Sequence, residues 1–115
     1  MTIELSLPFP PSINTYWGFH GHRRFLTKKA LLFKELVANE VRSQPTRFGD
    51  EYLSLTLNLY PPDRRARDID NPIKPLLDSL VQSGLFNDDS QIKVMHIYMN
   101  EPIKGGTSKV QISVI

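Results

Sequence analysis

Leu53-Ser54-Leu55-Thr56-Leu57-Asn58-Leu59-Tyr60 alternates leucine with other residues, and Pro61-Pro62-Asp63-Arg64-Arg65-Ala66-Arg67-Asp68-Ile69-Asp70-Asn71 follows it directly. The first part has a period of two. Side chains of a strand point alternately to opposite faces, so the four leucines share a buried face while Ser54, Thr56 and Asn58 share a wet one. This is the cleanest strand in the chain, and the other elements are placed around it.

Upstream, residues 2–8 alternate, with Ile3, Leu5 and Leu7 on one face, and read as a strand that Pro8, Pro10 and Pro11 end. Ser12 to Arg24 is polar, aromatic and glycine-bearing, and reads as a loop or loose hairpin. Thr27 is placed to cap a helix. From there Ala30, Phe33, Val37 and Val41, with Leu32 and Leu36 beside them, form a helical stripe to about Arg42. Ser43 to Asp50 is a connection.

Downstream, Asn71 to Gln82 reads as a second helix closed by Gly84. Asn71 as N-cap with Pro72 in the first helical position is a favourable start. Pro75 biases Lys74 away from the α region, so the helix is expected to begin properly only at Pro75. Ile92 to Met99 and Lys109 to Ile115 read as strands, and the turn Lys104-Gly105-Gly106-Thr107 is expected to join them as an antiparallel pair. The reading is a single α/β (α+β) domain over residues 1–115, in the order β-α-β-α-β-β. Its mixed sheet is expected to carry two helices packed mainly on one face.

Composition narrows the function. A chain of 115 residues is one domain's worth. Hydrophobic residues at 40% and charged residues at 23% exclude a disordered chain. The absence of cysteine excludes disulfide scaffolds, thiolate zinc sites and cysteine nucleophiles. Met1 is followed by Thr2-Ile3-Glu4-Leu5 rather than by a basic and then an apolar segment, and no apolar run approaches the ~20 residues of a membrane span. A cytoplasmic protein without a membrane partner is expected.

The net charge of +2, from 14 Lys+Arg and 12 Asp+Glu, makes a poor case for nucleic acid as a sum. Its distribution says more. Asp63, Asp68, Asp70, Asp78, Asp88 and Asp89 fall in one window, together with Arg64, Arg65, Arg67 and Lys74. Short carboxylates suit a hard metal ion, though they are also common in turns and caps. If the extended conformation persists past Tyr60, Asp68 and Asp70 point to one side and can bridge a divalent cation, with a third ligand from Asp88 or Asp89. For any single Asp-x-Asp, a turn residue followed by a helix cap is the commoner reading. It weakens here because Asp70, Lys74 and Asp78 are spaced four apart. Carboxylates that hold ions, beside a lysine that offsets developing charge, are what metal-assisted phosphoryl transfer needs.

The arginines are either a solvated edge or phosphate contacts. Alternation puts Arg65 and Arg67 opposite Asp68 and Asp70, leaving Arg64 nearest the site. In the N-terminal loop, Asn14, Tyr16, Trp17, His20, His22, Arg23 and Arg24 mix aromatic and basic groups that can stack on bases and grip phosphates, or form an ordinary loop with Trp17 on the core. Lys28 and Lys29 sit in a first helical turn, where a bound phosphate would relieve their opposition to the helix dipole. His20 and His22 are too isolated for a metal site, and His96 reads as a strand side chain.

The segment Arg67-Asp68-Ile69-Asp70-Asn71 … Lys74 … Asp78 … Gly84 … Asp88-Asp89-Ser90-Gln91-Ile92 resembles the RusA family of Holliday junction resolvases. So do Leu7-Pro8-Phe9-Pro10-Pro11-Ser12-Ile13-Asn14 and the Lys104-Gly105-Gly106 turn, and the likeness covers essentially the whole chain. The resemblance implies a homodimeric endodeoxyribonuclease that resolves four-way DNA junctions by paired symmetric nicks in recombination and repair. It implies Mg²⁺, with Mn²⁺ able to substitute, and no small-molecule cofactor. Asp68, Asp70, Lys74 and Asp89 would be catalytic. Asp68, Asp70 and Asp89 would hold the metal, with Asp88 a further candidate. Asn14, Tyr16, Arg23, Arg24, Arg64, Arg65 and Arg67 are the candidate DNA contacts. A junction-binding module without turnover and a small nucleotide phosphohydrolase are the alternatives.

Overall fold

The structure is a computed structural model that describes residues 1–115. Its main elements are β1 (Thr2–Leu7), β2 (Trp17–His20), β3 (Arg23–Leu26), α1 (Lys28–Arg42), β4 (Leu53–Tyr60), α2 (Ile73–Gln82), β5 (Ile92–Met99) and β6 (Thr107–Val114), with short 3-10 turns at Ile13–Thr15 and Asp89–Gln91. The expected mixed sheet is present, in the strand order β1-β6-β4-β5. Residues 12–26 add a separate hairpin, β2 against β3, to the β-α-β-α-β-β order.

β4 lies inside the sheet. Leu57 faces Ile97 of the parallel β5 on one side and Val110 of the antiparallel β6 on the other. Leu53, Leu55, Leu57 and Leu59 are fully buried with Ile3, Leu5 and Leu7 of β1 and Val110 and Ile112 of β6. Over this face α1 lays Phe33, Val37 and Val41, and α2 lays Leu76 and Leu80. Each leucine so buried stabilises the fold by about 1.5–3 kcal/mol relative to leaving it exposed. No helix is long and apolar enough to cross a membrane.

The antiparallel pairing expected of the last two strands does not occur: β5 and β6 are separated by β4. The α2 crossover returns β5 parallel to β4, as a strand–helix–strand connection does. The chain must then pass over the end of β4 to reach its free edge. It is held there by the Asn100 N–H to the Leu59 carbonyl at 2.8 Å and the Ile103 N–H to the Pro61 carbonyl at 2.9 Å. Gly106 makes the crossing tight. It has φ +69°, and a Cβ there would lie 3.0 Å from Phe9 Cβ and 3.1 Å from Pro62 Cδ.

The helix starts differ from each other. Thr27 caps α1 as its sequence suggests, accepting from the Ala30 N–H at 3.3 Å while donating to the Thr15 carbonyl at 2.7 Å. Asn71 does not cap α2, whose first residue is Ile73 with Pro72 before it and no side-chain cap. Lys74 is helical, so α2 does not wait for Pro75. A first-turn residue has no intrahelical use for its N–H, and Pro75 therefore sacrifices nothing there.

Candidate active site

α2 places Lys74 and Asp78 one turn apart, with Lys74 Nζ 3.1 Å from Asp78 Oδ1. The same ammonium lies 2.9 Å from Asp89 Oδ2. Asp89 is delivered by the turn that precedes β5. Asp88 Oδ2 accepts the Ser90 N–H at 2.9 Å, and Gln91 Oε1 accepts the Asn87 and Asp88 N–H groups at 2.8 and 2.9 Å. Gln91 Nε2 anchors the turn to the core side by donating to the Gly49 and Glu51 carbonyls, each at 2.8 Å. Asp88 is thereby spent on its own backbone, and Asp89 is the acid that reaches Lys74.

The electrostatics follow these contacts. The Asp89 carboxylate, then that of Asp78, pushes the Lys74 ammonium above the usual lysine range. The Ser90 hydrogen bonds hold Asp88 below the usual carboxylate range. Behind Asp78 lies Tyr16, only 1% exposed. Its hydroxyl is pushed up to about 12, first by burial and then by the Asp78 charge. The Lys34 ammonium sits 5.3 Å from the centre of the Tyr16 ring, shielded from solvent and without a hydrogen-bond partner. Burial pushes it below the usual lysine range, against the pull of Asp78.

The arginine segment is not a continuation of β4. Asp63 gathers it: Oδ1 accepts the Arg65 N–H at 3.0 Å and Arg67 Nη1 at 2.8 Å, and Oδ2 accepts Arg65 Nε at 3.2 Å. These bonds, that from Arg67 foremost, hold the Asp63 carboxyl well below the usual range. Arg67 also donates to the Asp63 and Arg65 carbonyls, each at 3.2 Å, and lies 5.6 Å from the centre of the Phe9 ring. Strand alternation therefore does not sort these side chains. Arg64 turns to the exposed Glu101 at 3.4 Å, whereas Arg65 and Arg67 line a cleft of about 490 Å³ with Asp68, Asn71, Lys29 and Phe9.

A turn also separates Asp68 from Asp70. The Asn71 N–H donates to the Asp68 carbonyl and the Ile73 N–H to the Asp70 carbonyl, each at 3.2 Å, so the two acids do not stand as strand neighbours on one face. Both are exposed. No three His, Cys, Asp or Glu side chains stand close enough together to hold a metal ion. The structure thus brings Asp89 and Asp78 to Lys74, puts Asp68 among the cleft cations, and leaves Asp70 on the turn between them. The donor chemistry still suits a hard cation. Mg²⁺ is bound by one or two protein carboxylates and completes its shell with water and phosphate, so an all-protein cage of three acids is not required.

Among the other candidates, Arg23 and Arg24 are exposed on β3, with the Arg24 guanidinium 3.9 Å from the centre of the Trp17 ring. Asn14 is exposed in the 3-10 turn, its N–H on Ser12 Oγ at 3.1 Å. Burial leaves Tyr16 no open ring face. Sequence reasoning missed the organising acid Asp63, the shielded Lys34, and the exposed rings of Phe19 and Phe25. The aromatic and basic alternation of Trp17–His20 with Arg23–Leu26 is the signal that marks the last two.

Comparison with known proteins identifies the family. Residues 8–115 match the family described as Endodeoxyribonuclease RusA. The chain is 32% identical over 111 residues to the crossover junction endodeoxyribonuclease rusA of Enterobacteria phage HK97, covering 96% of this chain and 92% of that one. It is 27% identical over 113 residues to the crossover junction endodeoxyribonuclease RusA of Escherichia coli, covering 97% and 94%. The chain belongs to the RusA family.

Proposed function

We propose that this protein is a metal-dependent endodeoxyribonuclease that resolves four-way DNA junctions by paired nicks, in DNA recombination and repair. The observation that carries the reading is the Lys74 ammonium held 2.9 Å from Asp89, at the end of the turn that bears Asp68 and Asp70. Family membership and the printed activity of the relatives support it.

The chain's own groups divide the work. Arg65, Arg67 and Lys29 line the cleft beside Asp68 and are suited to hold phosphates of the DNA backbone. Lys74, kept charged by its two acids, is placed to offset the charge that grows on the phosphoryl oxygens. One or two of Asp68, Asp70 and Asp89 would hold Mg²⁺, or Mn²⁺ in its place, with phosphate oxygens and water completing the shell. A cation bound there polarises the phosphodiester and lowers the pKa of the attacking water. Two such sites are needed for two matched nicks, and a four-way junction has approximate two-fold symmetry. A C2 homodimer is therefore the working unit we infer.

The test is cleavage of a synthetic four-way junction by the wild type and by Asp70→Asn, with and without Mg²⁺. Paired nicks that need both the ion and Asp70 are the expected result. Tight junction binding with no cleavage under any metal would make the protein a binding module. Release of inorganic phosphate from nucleotides, with junctions left intact, would make it a phosphohydrolase.

A further inference from the structure

The β2–β3 hairpin is not part of the main sheet, and the site described above uses none of its aromatic rings. Its register assigns its faces. Trp17 is opposite Leu26 and Phe19 opposite Arg24, which puts these four on one face. Gly18 opposite Phe25 and His20 opposite Arg23 make the other. The Phe25 ring covers Gly18 so closely that a Cβ there would lie 2.4 Å from it. Arg24 is seated 3.9 Å from the centre of the Trp17 ring. Phe19 has no such cover and is 70% exposed.

The stretch of chain that carries the hairpin has charge of one sign. Residues 5–34 contain Arg23, Arg24, Lys28, Lys29 and Lys34 and not one Asp or Glu. A cationic arm with an uncovered phenyl ring fits a polyanion that also offers flat apolar faces. Paired duplex offers phosphates but keeps its base faces stacked inside. Unpaired bases expose them, and base–aromatic stacking beside a basic groove is how single strands are held.

We propose that the β2–β3 hairpin docks on the unstacked bases at the branch point of a DNA junction. Phe19 stacks on an exposed base, Arg24 on the same face holds the adjoining phosphate, and Arg23 on the opposite face adds positive charge to the arm. The inference rests on the junction reading above and adds a recognition surface to it. Phe19 is the specificity-determining residue of that surface, because the arginines alone would grip any duplex.

The experiment compares the wild type, Phe19→Ala and Phe19→Trp on two probes. One is a synthetic four-way junction with 2-aminopurine at a branch-point position. The other is a fully paired duplex of the same length. Wild type is expected to change the 2-aminopurine fluorescence. Phe19→Ala is expected to lose that change and to bind the junction roughly 5- to 100-fold more weakly. Phe19→Trp is expected to restore both, and duplex binding is expected to be equal in all three. An equal loss on duplex and junction overturns the proposal, as does a Phe19→Ala variant that binds and reports like the wild type. A lower mass of Phe19→Ala in light scattering also overturns it, by assigning the ring to a contact between copies. A wild type that shows the fluorescence change but never cuts the junction overturns the endonuclease reading and leaves the arm standing. A wild type with no preference for the junction overturns both.

Discussion

The ammonium of Lys74 lies 2.9 Å from Oδ2 of Asp89, fifteen residues away in the chain, and 3.1 Å from Oδ1 of Asp78, one helical turn away. Lys74 remains more than half exposed, so water screens both pairs. Exposed ion pairs are worth about 1 kcal/mol or less, too little for the fold to need this one. Lys74→Met is therefore expected to leave the free energy of urea unfolding within about 1 kcal/mol of the wild type. Junction cleavage is expected to fall by roughly 100-fold or more, as for loss of one charge-stabilising donor. Folding curves and single-turnover cleavage of the same preparation decide it, and full retention of cleavage would remove Lys74 from the site.

Asp63 organises the arginines without entering the cleft itself. It accepts from the backbone and side chain of Arg65 and from Arg67, and these bonds depress its pKa. A depressed carboxylate contributes order that is present above its unfolded pKa and is lost as pH falls through the folded one. Asp63→Asn keeps the size and removes the charge. It is expected to free Arg65 and Arg67, to weaken junction binding several-fold at neutral pH and to leave the overall stability nearly unchanged. Binding curves at several pH values, alongside a melting curve, check this. A variant that binds like the wild type would show that the arginines hold their positions unaided.

The limits of sequence reading are visible in these same residues. Lys74 and Asp78 are four apart and meet because a helix makes them neighbours, so their pairing is local and legible. Asp89 meets Lys74 only because β5 returns beside β4, which no spacing reveals. The buried leucines of β4 were equally legible, since burial there follows the period of two. The partner of β6 was not. A Lys-Gly-Gly-Thr turn looks the same whether it joins adjacent strands or carries the chain over one, and the parallel β4–β5 pair decides between them. Alternation past Tyr60 failed because Asp63 binds the following backbone and bends it out of a strand.

Tyr16 links the core to the acids of the site, and its hydroxyl is pushed up to about 12, chiefly by burial. A group whose folded pKa is raised stabilises the protein fully below its unfolded pKa and loses that contribution as pH rises through the folded value. The window is pH 10 to about 12. Tyr16→Phe cannot ionise, so its stability is expected to decline less steeply than that of the wild type across this window. Urea unfolding at a series of alkaline pH values measures the difference. Parallel declines would show that Tyr16 does not ionise on unfolding.

Lys34 carries the opposite sign. Its ammonium is shielded from water with no hydrogen-bond partner, and the face of Tyr16, at 5.3 Å, is its one compensating contact among the rings. Burial lowers its pKa despite the favourable charge of Asp78. A lysine so depressed destabilises the fold while the folded state must hold it charged, and stability recovers as pH rises from the folded pKa towards the unfolded one. Lys34→Met keeps the length of the chain and removes the charge. It is expected to be at least as stable as the wild type at pH 7 and to lose the recovery at alkaline pH. Thermal unfolding of the two proteins from pH 7 to 10.5, the ordinary lysine value, checks both parts. A Lys34→Met protein that is clearly less stable at pH 7 would show that the cation–ring contact and the Asp78 field outweigh the loss of hydration. In that case Lys34 would be a counter-ion of Asp78, and Lys74 would not hold that acid alone.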